Sequence, residues 1–155
     1  MTTADIPRYT LVDGEVTGRQ DYGLIVRAAD NRPGFVDSAD IADEPVPQEE
    51  WPSTGTRLRG VVLGVTRDGR LRLSLRPRDV TLVESVPDPA GALRTWHALR
   101  RGDPDTVRAF QGSVEARALL RWALAHPAGS PDRELGERLL TRPPPGDQPP
   151  ASPLR

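Results

Sequence analysis

The chain has 155 residues, no cysteine, no lysine and a net charge of −1. These facts exclude disulfides, thiolate chemistry and a lysine-bearing P-loop, and they exclude a polycation that binds nucleic acid through bulk charge alone. No apolar run approaches the ~20 residues of a membrane span, and the opening MTTADIPRYT lacks the basic-then-apolar order of a signal peptide, so the expected location is the cytoplasm.

In chain order, residues 1–8 are expected to be flexible and residues 11–76 read as β-structure. LVDGEV leads through TGRQ into DYGLIVRA, with Gly14, Gly18 and Gly23 at bends or bulges. RPGFVDS is a short strand entered through Pro33-Gly34. Residues 38–55 carry Asp40, Asp43, Glu44, Glu49 and Glu50 with Pro45, Pro47 and Pro52, and form a long acidic connection with room for one helical turn. Trp51 is the residue that anchors this connection to the barrel. RLRGVVLGV is the fourth strand, Thr66 to Gly69 a tight hairpin turn, and RLRLSLR the fifth strand, spanning 70–76. Five short strands with one long connection predict a small closed or nearly closed barrel.

In that last strand Leu71, Leu73 and Leu75 alternate with Arg70, Arg72, Ser74 and Arg76. Successive strand side chains face opposite ways, so one face is leucine and the other nearly all arginine. Residues 57–78 hold seven arginines against Asp68 alone. This cluster has two readings. It is a phosphate track, or it is a solvated face whose charges pair with the acidic connection.

After Pro87 the period changes. Leu93, Trp96 and Leu99 recur at helical spacing, Asp103-Pro104 opens DTVRAFQ, Ser113 stands where it can cap VEARALLRWALAH, and Ser130-Pro131 opens PDRELGERLLTR. Ala116, Leu119, Leu120, Ala123 and Leu124 form one apolar stripe. Trp96 and Trp122 fit the core of this helical region, with an interface as the alternative. Residues 88–142 are thus a small region of three or four helices, and the Pro-rich residues 143–155 are expected to be disordered. His97 and His126 lie far apart with no cysteine, so no metal site is expected. Glu115 and Asp132 have no nucleophile motif beside them. No catalytic constellation and no cofactor motif is present, and the expected activity is non-enzymatic.

The β-part resembles a known family. Gly14-x-Val16, then Tyr22-Gly23-Leu24-Ile25-Val26, Gly34-Phe35-Val36, Gly55 before a Val-rich strand, and Asp68-Gly69-Arg70-Leu71-Arg72-Leu73-Ser74-Leu75 follow the order of the S-one RNA-binding domain. The resemblance covers residues 9–77 and implies an OB-fold barrel over residues 9–80 that binds single-stranded RNA. In that family aromatics stack on bases and basic residues meet phosphates. Tyr22 and Arg70 match two of five family positions. The other three fall on Ile25, Asp37 and Thr66, and Phe35 supplies a nearby aromatic at a position that is normally apolar core. The RNA-binding candidates are Tyr22, Arg70, Arg72 and Phe35, with Arg57, Arg59 and Arg76 in support. The alternative is a protein-interaction module or accessory subunit, with the barrel as scaffold and the helices as the partner surface.

Overall fold

The structure is a computed structural model, and it describes residues 6–100 and 104–141. These residues divide between Ala90 and Gly91 into two compact units. The expected Pro-rich tail, Arg142 and the Asp103 cap position lie outside the described residues.

The first unit is the barrel. Its strands are β1 (Leu11–Gln20), β2 (Gly23–Ala28), β3 (Arg32–Asp37), β4 (Arg57–Val65) and β5 (Leu71–Ser74). They close in the order β1-β2-β3-β5-β4, with β4 returning to β1. All pairs are antiparallel except β3–β5, which is parallel. This is the five-stranded OB barrel the strand pattern and the resemblance predict. Alternation fills the interior: Val16, Leu24, Val26, Val36, Val62, Leu71 and Leu73 are all at most 1% exposed and belong to one cluster. Trp51 joins that cluster and donates its indole N–H to the Val46 carbonyl (3.2 Å), so the long connection is pinned as expected. Of the residues expected to be flexible at the N-terminus, 1–5 are not described, and Ile6 is partly buried against the barrel core.

β1 runs on through TGRQ to Gln20, because a bulge between Val16 and Gly18 absorbs Thr17 without breaking the ladder. Gly23 at the start of β2 has φ +155°, and a Cβ there would stand 2.0 Å from the Val36 carbonyl oxygen. Only glycine lets β2 and β3 approach at that point. The acidic connection contains two short 3-10 turns, Ser38–Asp40 and Gln48–Glu50.

The last strand is shorter than its leucine period predicts. It stops at Ser74, whose buried hydroxyl accepts from the Arg76 backbone N–H (3.1 Å) and turns the chain. Pro77 then opens α1 (Pro77–Ser85), a helix absent from the sequence reading that packs against β4. Arg76 is therefore the N-cap residue of α1 and not the last outward residue of a strand.

The second unit holds most of α2 (Pro89–Leu99), then α3 (Pro104–Gln111), α4 (Ala116–Leu124) and α5 (Pro131–Thr141). Trp96 is fully buried and meets Phe110 and Trp122 edge-on, with ring centroids 5.8 and 6.0 Å away. Both tryptophans are thus core residues. Ser130 caps α5 by accepting from Arg133 N–H (3.2 Å). Ser113 does not cap α4: its hydroxyl donates back to the Phe110 carbonyl (2.7 Å), and Glu115 occupies the cap. On α4 the most buried residues are Leu119, Trp122 and Ala123, with Leu120 and Leu124 at the edge of the stripe. Gly136 of α5 lies so close to α4 that a Cβ would come within 3.1 Å of Ala123 Cβ.

Candidate nucleic-acid interface

Strand register assembles one outward row. Ile25 pairs with Phe35, Phe35 with Arg72, and Arg72 with Gly64, while Gly18 pairs with Ile25 from the other side. Their chain neighbours Leu24, Val26, Val36, Leu71 and Leu73 fill the core, so these residues face outward. The row thus runs Gly18–Ile25–Phe35–Arg72–Gly64 across all five strands. Its centre is aromatic and its two ends carry no side chain.

Arg70 completes the centre. Its guanidinium carbon lies 5.3 Å from the Phe35 ring centroid, within the range of a cation–π contact. The Thr66–Gly69 turn holds it there. Thr66 N–H donates to the Arg70 carbonyl (2.8 Å), and the Thr66 hydroxyl accepts from Arg70 N–H (3.0 Å) and meets the Asp68 carboxylate. Arg70 Nε is 3.0 Å from Asp68 Oδ2, an ion contact in which the N–H is not aligned on the oxygen. The hydrogen bond from the Thr66 hydroxyl, helped by the Arg70 charge, holds the exposed Asp68 carboxyl below its ordinary value against the opposing effect of desolvation.

The remaining candidates separate. Tyr22 sits in the β1–β2 turn, 55% exposed, with its carbonyl fixed by Ser38 N–H (2.8 Å). It lies three residues before Ile25, at the start of a row strand. Arg57 and Arg59 stand on β4 opposite Glu15 and Asp13 of β1. Arg59 is five residues from Gly64, roughly 17 Å along the strand, and it pairs with Asp13 (3.2 Å) and Glu84 (4.0 Å). The structure brings Phe35, Arg70 and Arg72 together and leaves Arg57 and Arg59 toward the other end of β4.

Arg76 is taken up by an inner network. Its Nε donates to Asp79 Oδ2 (2.7 Å) and its Nη1 lies 3.3 Å from Asp40 Oδ1. The Ser74 hydroxyl donates to Asp79 (2.6 Å), and Asp40 also holds Arg72 Nη2 (3.3 Å). Asp40 and Asp79 are 3% and 4% exposed. Arg78, which the sequence reading did not single out, is buried and donates from its backbone N–H to Asp43 Oδ1 (3.1 Å) and from Nη1 to the Asp43 carbonyl (3.0 Å). Burial and the neighbouring Arg76 pull its pKa below the ordinary arginine value against Asp79, Asp43 and Asp40. The acidic connection therefore does neutralise part of the arginine cluster. Two of the residues compared with the S-one pattern in the sequence serve turns here: Thr66 as described, and Asp37, whose carboxylate accepts from Ala39 N–H (3.0 Å).

Among the described residues, no group of three or more His, Asp or Glu is placed to hold a metal, and no helix is long and apolar enough to cross a membrane. His126 Nε2 lies 3.6 Å from Asp132 Oδ2, and the same carboxylate accepts from Trp96 Nε1 (2.9 Å) and meets Arg100. That arrangement ties helices together.

No protein-family model matches the chain. Similar solved structures include GSP13 from Bacillus subtilis, 28% identical with a TM-score of 0.44, where the match covers 48% of this chain and 58% of that one. The intact alpha subunit of aIF2 from Pyrococcus abyssi is 16% identical over 88% of this chain and 62% of its own, with a TM-score of 0.43. A chain of the a/eIF2alpha-aDim2p-rRNA complex from Pyrococcus horikoshii OT3 is 15% identical over 89% of this chain and 96% of its own, with a TM-score of 0.44.

Proposed function

We propose that residues 9–80 form an S-one-type module that binds single-stranded RNA across β2, β3 and β5, without catalysis. The observation that carries this reading is the outward row in which Phe35 stands in register beside Arg72 with the Arg70 guanidinium over its ring. Bases need a flat π-face and the backbone needs cations beside it. Phe35 offers a ring with the Arg70 guanidinium over it, Arg72 offers a half-exposed guanidinium, and Tyr22 offers a second ring.

The test is a titration of labelled single-stranded RNA of mixed sequence at two salt concentrations. Wild type should bind, and affinity should fall with salt by a slope of about −0.7 per phosphate neutralised. Tyr22→Ala and Phe35→Ala should each cost ~1–3 kcal/mol of binding and leave the slope nearly unchanged, because stacking displaces no counterion. Absence of binding by wild type at low salt overturns the proposal.

A second reading has its own observation. Arg59, Arg70, Arg72 and Arg76 each already meet a carboxylate of this chain. If RNA does not bind, these pairs serve solubility, and the helices become the surface to test against protein partners.

A further inference from the structure

Arg8 differs from the arginines that drew attention in the sequence. No carboxylate among the described residues lies within ion-pair distance of it, and its side chain is exposed. Its backbone is nonetheless fixed. Ile6 packs on the barrel core, Tyr9 N–H donates to the Val62 carbonyl (2.6 Å), and Val62 N–H donates to the Thr10 carbonyl (2.9 Å). Tyr9 takes a left-handed conformation with φ 62°, turning the chain just before β1. The guanidinium then lies over Gly64: a methyl group there would stand 3.8 Å from Arg8 Nε and 3.9 Å from Nη2. Gly64 is the register partner of Arg72. The missing side chain at one end of the row is therefore the place where an arginine from outside the sheet comes to rest.

We infer that Arg8 is a phosphate ligand of this face, next in line after Arg72, so that a bound strand runs from the bases at Phe35 across β5 onto β4. The inference rests on the RNA reading and extends it. It also orders the arginines by their share of the salt dependence. Arg72 must exchange Asp40 for a phosphate, so its charge is already largely compensated before RNA arrives. Arg8 has no carboxylate partner among the described residues to give up. Counterion release follows the uncompensated cation, so Arg8 should carry more of the salt slope than Arg72 despite lying outside the barrel strands.

The experiment uses the full chain and labelled oligouridine, titrated across a salt series, with Arg8→Gln, Arg72→Gln, Arg8→Lys and Gly64→Leu. Thermal midpoints are measured alongside. Arg8→Gln should weaken binding several-fold at low salt and reduce the slope by about 0.7, while Arg72→Gln reduces the slope by less. Arg8→Lys should keep the slope. Gly64→Leu leaves every charge in place but displaces the guanidinium, and should weaken binding. If wild type binds and Arg8→Gln matches it in affinity and slope, the inference falls and the RNA reading stands. A Gly64→Leu protein that binds like wild type overturns the seat over Gly64. A loss in Arg8→Gln that comes with a lowered thermal midpoint and an unchanged slope reveals a structural role and overturns the inference too. No binding by wild type removes both readings together.

Discussion

Asp40→Asn should weaken the fold slightly and strengthen RNA binding, two effects of opposite sign from one atom change. Asp40 is 3% exposed and holds Arg72 and Arg76 at 3.3 Å each. Breaking a buried pair costs ~3–5 kcal/mol when it strands the remaining charge. Here neither arginine is stranded. The Arg72 side chain is 51% exposed, so water replaces the carboxylate, and Arg76 keeps Asp79 at 2.7 Å. The asparagine oxygen still accepts from one of them. The expected loss is therefore that of a single charge-assisted hydrogen bond, about 1.5–3 kcal/mol. Arg72 meanwhile loses its competitor. A half-exposed pair contributes up to about 1 kcal/mol, so low-salt affinity should rise by as much as about fivefold. Urea unfolding of the full chain by far-UV circular dichroism reads the first effect, provided m is unchanged. The RNA titration reads the second. A stability loss above about 3 kcal/mol would refute the idea that Asp79 suffices for Arg76, and unchanged affinity would refute the competition between Asp40 and phosphate.

Asp79→Ala should behave differently, because it takes the carboxylate acceptor from the buried Ser74 hydroxyl and leaves Arg76 to rely on Asp40, which Arg72 already shares. Its cost should reach about 3–5 kcal/mol in the same urea assay. Gly136→Val should push α5 off Ala123 and lower helical-unit stability by about 1–3 kcal/mol, seen in thermal unfolding. Burial raises the Asp132 pKa, but hydrogen bonds from Trp96 and Arg100 and the charges of Arg100 and His126 outweigh it and leave the carboxyl below its ordinary value. A lowered folded pKa means stability that is fully present above the ordinary carboxylate range, near pH 4, and lost as pH falls through the folded value. Near-UV circular dichroism of the tryptophans should therefore report acid loosening of α2 against α5, and Asp132→Asn should abolish that step while lowering stability at neutral pH.

Period in the sequence located most of the core, though not the end of the last strand. Leu71 and Leu73 alternate into the core, Asp68-Gly69 forms the turn with Gly69 at φ 86°, and Trp96 and Leu99 lie on the buried side of α2. The helix α1 was hidden because PRDVTLVES holds β-branched Val80, Thr81 and Val83, which favour strands locally, and because the leucine alternation pointed to a strand continuing to 76. Packing on β4 decides the matter in favour of a helix. The candidate site was legible only in part. Arg70 and Phe35 are far apart in sequence, and their cation–π contact depends on the parallel β3–β5 pairing, which no local pattern encodes. Counting arginines also could not show which of them are held by carboxylates of the chain. Compensation by Asp40 and Asp79 is a tertiary fact, and so is the arrival of the N-terminal segment over Gly64.

The parallel junction has a consequence for motion. β3 and β5 share only two paired positions, Gly34 with Leu71 and Phe35 with Arg72, whereas β2 and β3 share six. Parallel pairs are slightly weaker per residue, and short, poorly bonded junctions open at lower free energy than the rest of a fold. This seam should be the first line along which the barrel parts. Phe35 and Arg72 stand on its opposite lips, so a molecule touching both would act as a clasp. Its occupancy would appear as slowed amide exchange at residues 34–35 and 71–72, and the protection would grow with concentration, by about 2.7 kcal/mol at a hundred times Kd.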